Sequence, residues 1–157
     1  MKSARILLVL VLVTPGCVDA DTARFRAPSV AAHWGCTQED APALEIVLAS
    51  KGRAESKAPR PPYVRIEIAR CSWVRLRGKA IPLQDLRGAA RSDSLPLARA
   101  ELVRPDRESE WLKGELWLDR AIEEGEVVGR YRFVARDSTR IEGSFRTRWA
   151  PGRVVCG

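Results

Sequence analysis

The feature that most constrains the fold of this chain is a hydrophobic pattern with a period of two residues. In YVRIEIA, the apolar side chains of Val64, Ile66 and Ile68 alternate with Arg65 and Glu67. Such alternation places apolar side chains on one side of a β-strand and polar ones on the other. The pattern recurs in LEIVLA, AELV, WLKGELWLD and GRYRFVARDSTRIEGSFRTRW. The sequence therefore predicts an all-β fold.

The segments between these runs have the composition of surface loops. KGRAESKAPRPP, QDLRGAARSDS and RPDRESE are rich in charged residues, glycine, proline and serine. Short alternating runs joined by such loops predict an antiparallel β-sandwich or a small barrel of about seven or eight strands. Residues 118–126, LDRAIEEGE, form the one stretch for which we expect a helical turn, with Gly125 placed to end it.

The first twenty residues have the layout of a secretory signal. Lys2 and Arg5 precede an apolar run of eight residues, Ile6 to Val13, which is too short to span a bilayer that needs about 20 helical residues. A V-x-A site ending at Ala20 predicts a mature chain that begins at Asp21. Alternatively, TPGC resembles a bacterial lipoprotein box, which implies lipidation of Cys17.

These observations predict three segments: a signal at residues 1–20, an irregular N-terminal tether at 21–42 and a single β domain at 43–157. The location that we expect is extracytoplasmic, either periplasmic or secreted, or membrane-anchored by lipid at Cys17.

Whichever of the two cleavage sites is used, three cysteines remain in the domain that could form disulfides. In an oxidising compartment they predict one disulfide and one further thiol. Cys36 and Cys156 lie just outside the first and last apolar segments, which favours a bond between them, with Cys36 to Cys71 as the alternative. A bond that closes a loop of about 120 residues contributes about 5 kcal/mol in the chain-entropy model.

Positive charge is concentrated in the last hairpin. The formal net charge is +7, yet residues 127–157 contain seven arginines and two carboxylates, those of Asp137 and Glu142. Alternation predicts a hairpin with a tight turn at Asp137–Thr139 and an aromatic inner face. The predicted outer face carries Arg130, Arg132, Arg136, Arg140, Arg146 and Arg148. This face is either a solvated sheet surface or a binding site for an anion.

No recognised catalytic motif accompanies this pattern. His33 and Cys36 have the spacing of two metal ligands, but a zinc site needs three or four. We therefore expect neither a metal nor another cofactor, and export argues against a nucleic-acid partner.

The hypothesis that follows is a non-catalytic exported envelope protein, either free or a lipoprotein. It would bind or stabilise an anionic polymer or lipid through the basic face. A secreted protein-binding module, such as an inhibitor or chaperone, is the alternative. It would act through its loops, such as the loop from Lys51 to Pro62, or through an exposed sheet edge. A hydrolase built around His33 and Cys36 is a third hypothesis.

Overall fold

The computed structural model describes residues 25, 27–36, 42–55, 59–69, 78–83, 97–106, 108–151 and 155–156. Within these ranges the chain forms nine β-strands and no helix, so the all-β prediction is confirmed with more strands than expected. The strands are β1 (Ser29–Cys36), β2 (Pro42–Lys51), β3 (Arg60–Ala69), β4 (Ala80–Pro82), β5 (Leu97–Val103), β6 (Ser109–Trp111), β7 (Lys113–Ala121), β8 (Glu126–Val134) and β9 (Arg140–Arg148).

The strands form two antiparallel sheets. A five-stranded sheet has the order β1-β2-β3-β5-β6, and a four-stranded sheet has the order β4-β7-β8-β9. Their inner faces enclose one core in which Leu44, Ile66, Leu116, Phe133 and Trp149 are fully buried. The arrangement is sandwich-like, as two stacked sheets with alternating inward residues require.

The two sheets also meet along their edges. Single parallel bridges join Ala32 to Trp149 and Leu83 to Ala98. β6 passes into β7 through Leu112, whose N–H donates to the carbonyl of Ala100 at 2.9 Å, so consecutive strands belong to different sheets. Gly114 follows this crossing at a φ of +127°, and its carbonyl accepts the N–H of Leu83 at 2.9 Å.

The five-stranded sheet is buried on both sides over β2. Leu44, Ile46 and Leu48 face the core with no exposed surface, while Val47 and Ala49 on the other side are 2% and 0% exposed. This second side packs with Ala31, Ala54 and Tyr63. The alternating pattern predicts that only one side of this sheet is buried. The second side of β2 is buried as well because its outward positions carry small or β-branched residues.

Two sequence expectations are wrong. The predicted irregular tether contains β1, an eight-residue strand that pairs with β2 from Ser29 to Cys36. The expected helical turn at residues 118–126 is a β-hairpin, in which Ile122 N–H donates to Glu126 O at 3.1 Å. That segment has no apolar face of helical period, so pairing between β7 and β8 determines its conformation. The expected signal at residues 1–20 lies outside the described residues.

The structure joins Cys36 to Cys156, the pairing that the sequence favours. The bond ties the end of β1 to the C-terminal segment across a sequence separation of 120 residues. Cys71 lies outside the described residues.

We predict that Gly114→Ala destabilises the domain by about 3 kcal/mol or more. An added Cβ would lie 2.1 Å from the backbone carbonyl of Arg132, in a backbone conformation that disfavours side chains. Gly78→Ala is the control, because Gly78 also has a positive φ, +70°, but its Cβ would meet nothing within 4 Å. We expect a loss of about 1 kcal/mol there. Equal losses in urea unfolding would contradict the role of the close approach at Gly114.

Candidate functional site

The outer surface of the β8–β9 hairpin, which we call the arginine face, is the candidate site. β8 alternates buried Val127, Gly129, Tyr131 and Phe133 with outward residues, and β9 buries Ile141 and Phe145. A Cβ on Gly129 would lie 2.7 Å from the ring of Phe145, so the absent side chain makes room for that aromatic ring. All six arginines of the face are exposed: Arg130, Arg132, Arg136, Arg140, Arg146 and Arg148.

The neighbouring strand β7 adds carboxylates to this surface. Glu115 lies opposite Arg132, which is itself opposite Glu142 on β9, so Arg132 is flanked by acidic positions in the register. Asp119 Oδ1 lies 3.4 Å from Arg130 Nη2. The charge of the surface is therefore more mixed than the hairpin sequence indicates.

A further carboxylate, that of Glu126, holds two arginines. Its oxygens lie 2.8 Å from Arg120 Nη1 and 2.7 Å from Arg146 Nη1. Together with Asp119, Glu126 neutralises the part of the face nearest the β7–β8 turn.

The guanidinium groups of four arginines of the face have no carboxylate within 4 Å among the described residues. They are Arg132, Arg136, Arg140 and Arg148. A guanidinium group presents several donors in a planar fork that matches carboxylate and phosphate oxygens. These four side chains can therefore accept an external anion without first breaking an ion pair.

Trp117 supports two of the arginines from beneath. The guanidinium carbons of Arg130 and Arg132 lie 5.7 and 5.9 Å from the centre of its ring. Cation–π contacts of this kind restrict the side chains to fewer conformations. A ligand then loses less side-chain entropy when it binds them.

At the tip of the hairpin, Arg104 from the β5–β6 turn engages the local carboxylates. It contacts Glu110 through two nitrogens and lies 2.8 Å from Asp137 Oδ2. Glu110 also accepts the backbone N–H of Arg136 at 2.9 Å. Arg104 therefore links the β5–β6 turn of one sheet to the β8–β9 turn of the other. The guanidinium group of Arg136 forms no ion pair in the described structure.

The hydrogen bonds at this tip hold the pKa of the Asp137 carboxyl at about 2. The main causes are the side chain and backbone N–H of Thr139, followed by Arg104. The hydrogen bond from Arg104 to Glu110, followed by the one to Asp137, raises the pKa of Arg104.

A second polar cluster, which the sequence analysis does not identify, lies on the outward side of the five-stranded sheet. His33, Glu45, Glu67 and Arg99 occupy one row across β1, β2, β3 and β5. Glu67 accepts a hydrogen bond from Arg99 Nε at 2.6 Å, and both residues are buried. Burial raises the pKa of Glu67, and the hydrogen bond from Arg99 opposes that shift. In the sequence, these charged residues occupy the positions that alternation assigns to the solvent side of the sheet. The sequence therefore does not indicate that this side is covered.

The other members of that cluster are more open. Glu45 Oε1 lies 3.2 Å from Arg65 Nε, although the N–H is not aligned for a hydrogen bond, and 3.7 Å from His33 Nε2. His33 thus lies beside a carboxylate. Cys36 is bonded to Cys156, so it does not offer the thiol that a cysteine and histidine dyad needs.

Neither a metal-ligand cluster nor a spanning helix is found in the described ranges. No group of three or more His, Cys, Asp or Glu residues there has an arrangement that would hold a metal ion. The same ranges hold no helix long and apolar enough to cross a membrane. Cys17, the candidate lipidation site, lies outside them.

Comparison of the chain with protein-family models, with curated proteins and with solved structures finds no match. The interpretation of the site therefore rests on its own geometry and charge.

We predict that Asp137→Asn lowers stability at neutral pH but not near pH 2. Because the folded-state pKa of Asp137 is depressed to about 2, its contribution is present above its ordinary pKa of 3.8 and is lost as the pH falls toward 2. Urea unfolding from pH 6 to pH 2 should show the two proteins converging at the acid end. Asp106→Asn, in the adjacent turn, is the control and should retain the wild-type acid dependence. A constant gap between wild type and Asp137→Asn would contradict the assignment.

We also predict that Arg99→Met destabilises the domain by about 3 to 5 kcal/mol, because it leaves the Glu67 carboxyl buried without its partner. The double change Arg99→Met with Glu67→Leu should recover most of that loss, since a buried ion pair is often replaceable by apolar residues. A double-mutant cycle by chemical denaturation measures both. A double variant no more stable than Arg99→Met would show that the pair is needed for more than charge compensation.

Proposed function

We propose that this protein is a non-catalytic exported binding protein that holds anionic envelope material on its arginine face. The observation that carries the proposal is the set of four exposed arginines, Arg132, Arg136, Arg140 and Arg148, without carboxylate partners in the described structure. Surface arginines that serve solubility alone are normally interspersed with acidic residues. Here the carboxylates of Asp119 and Glu126 engage Arg120, Arg130 and Arg146, and no carboxylate lies within 4 Å of the other four guanidinium groups in the described structure.

The shape of the face supports an extended ligand. Outward side chains on one strand repeat at about 6.6 to 6.8 Å and neighbouring strands lie about 4.8 Å apart, so the guanidinium groups form a regular array. Such an array fits repeated negative charges along a polymer or across a layer of lipid headgroups. The disulfide between Cys36 and Cys156 is consistent with the extracytoplasmic location that this ligand requires.

The test compares two triple variants that remove equal charge. Arg132→Gln, Arg140→Gln and Arg148→Gln alter the arginine face, whereas Arg53→Gln, Arg60→Gln and Lys79→Gln alter exposed basic residues elsewhere. Binding of the processed protein to soluble polyglycerol phosphate is measured by calorimetry at low and at physiological ionic strength. We expect the first triple to lose about tenfold or more in affinity and the second to stay within about twofold, with binding weakened by salt.

The control triple also tests whether the β2–β3 loop, and not the arginine face, is the contact for this polymer. Ala54 anchors the β2–β3 loop by donating its N–H to Ser29 Oγ at 2.9 Å, which leaves Arg53 projecting into solvent. If the control triple abolished binding and the arginine-face triple did not, the contact would lie at the loop or near Lys79, outside the arginine face. Salt-insensitive binding, or none, would remove the proposal altogether.

A further inference from the structure

An open cleft lies between a turn of one sheet and a turn of the other, at one end of the arginine face. Its volume is about 310 Å³, which is within the range of pockets that bind small ligands. Residues of the β5–β6 turn, of β6 and of the β8–β9 turn contribute to its lining. We call it the turn cleft, and it is lined by Arg104, Glu108, Ser109, Glu110, Arg136 and Asp137. Arg136 therefore belongs both to this cleft and to the arginine face.

Hydrogen bonds from backbone N–H groups fix the two turns that form the cleft. The Arg104 N–H donates to the carbonyl of Glu108 at 2.9 Å, and the Glu108 N–H donates to Asp106 Oδ1 at 3.0 Å. In the β8–β9 turn, the Ala135 N–H donates to the carbonyl of Thr139 at 2.9 Å. A ligand that binds between these turns therefore loses little free energy in ordering the backbone.

Two charged groups of the turn cleft are left for a ligand. Arg104 engages the carboxylates of Glu110 and Asp137. The carboxylate of Glu108 and the guanidinium group of Arg136 form no ion pair in the described structure, either with each other or with another residue. Because both groups line the same cleft, one small ligand that carries a positive and a negative group can contact both of them.

The charge changes sign between the cleft and the neighbouring part of the arginine face. Two arginines and three carboxylates line the cleft, so its described lining has a net charge of −1. Hydrogen bonds from Thr139 hold the pKa of Asp137 at about 2, so this carboxyl is ionised at neutral pH. On the neighbouring strands, the guanidinium groups of Arg132 and Arg140 form no ion pair in the described structure. A ligand with only negative charge is attracted by the face and repelled by the cleft, whereas a ligand with both signs suits their boundary.

We propose that the turn cleft binds a phosphoethanolamine group, with its phosphate on Arg136 and its ammonium on Glu108. This inference rests on the proposed function, because it names the phosphate-bearing group that the arginine face recognises at this end. A guanidinium group matches phosphate oxygens with two parallel donors, and a primary ammonium offers three N–H donors to a carboxylate. The group can be the headgroup of a lipid or part of a soluble phosphate ester, and both present the same two charges.

The test follows the amide chemical shifts of the processed protein, which report weak binding residue by residue. It compares O-phosphoethanolamine with glycerol phosphate, which lacks the ammonium, and with glycine, which lacks the phosphate. Glu108→Gln and Arg136→Gln each remove one proposed contact. Glu123→Gln and Arg53→Gln are the matched controls, because they remove the same charges from exposed positions elsewhere. Matching thermal melts establish that each variant is folded.

We expect the wild-type protein to bind phosphoethanolamine about fivefold more tightly than glycerol phosphate, which is the upper range for an exposed charge pair. Glu108→Gln should abolish this preference, and Arg136→Gln should weaken phosphoethanolamine binding about tenfold. Both control variants should stay within about twofold of the wild type. The largest shifts should fall on the amides of Ser109 and Arg136.

Equal affinities of the wild type for the two phosphates would overturn the proposal, and so would a preference that survives Glu108→Gln. Glycine that binds as tightly as phosphoethanolamine would show that the cleft does not select the phosphate, and the proposal would be wrong.

Vesicles of phosphatidylcholine with one quarter phosphatidylethanolamine identify the source of the group. Co-sedimentation that is lost in Glu108→Gln indicates a lipid headgroup, whereas selective binding of soluble phosphoethanolamine alone indicates a soluble ester.

Binding to soluble polyglycerol phosphate, measured by calorimetry, separates the two proposals. If the polymer binds the arginine face while phosphoethanolamine has no advantage over glycerol phosphate, the proposed function stands and the ligand of the turn cleft is wrong. If neither the polymer nor phosphoethanolamine binds, the proposed function itself fails.

Discussion

The close approach of Gly114 to the backbone of Arg132 is the constraint on which the arrangement of the candidate site depends. At this point the chain leaves the five-stranded sheet and enters the four-stranded one, and a side chain at residue 114 would collide with a backbone carbonyl. The approach brings β7 alongside β8, so Trp117 comes to lie beneath Arg130 and Arg132. The same crossing brings Glu115 and Asp119 into the arginine face. The location of one glycine thus determines which charges share a surface.

The local features of the fold could be predicted from the sequence because they depend on neighbours along the chain. The β8–β9 hairpin follows from alternation in GRYRFVARDSTRIEGSFRTRW together with the turn residues between its halves. The acidic contribution of β7 could not be recognised from the hairpin, because strand neighbours depend on pairing. The buried pair of Glu67 and Arg99 was missed for the same reason, since alternation shows which residues point away from the core but not what covers them.

The arginine face also meets a structural requirement of its sheet. β9 is the last strand of the four-stranded sheet, and in the described structure its bridge to the other sheet is at Trp149. An edge strand offers unpaired backbone groups to other chains, and positively charged side chains on such a strand oppose that association. Arg140 and Arg146 therefore discourage strand addition in any environment. This role explains charge on β9, but it does not explain why the guanidinium groups of Arg132 and Arg136, away from that edge, form no ion pair in the described structure.

The disulfide between Cys36 and Cys156 has a mechanical consequence for a chain held at its N-terminus. Tension between the two ends of the chain would pass from β1 through this bond directly to the last residues, so the 120 residues of sequence between the cysteines could not be drawn out. A domain built in this way would stretch little before a covalent bond carried the force.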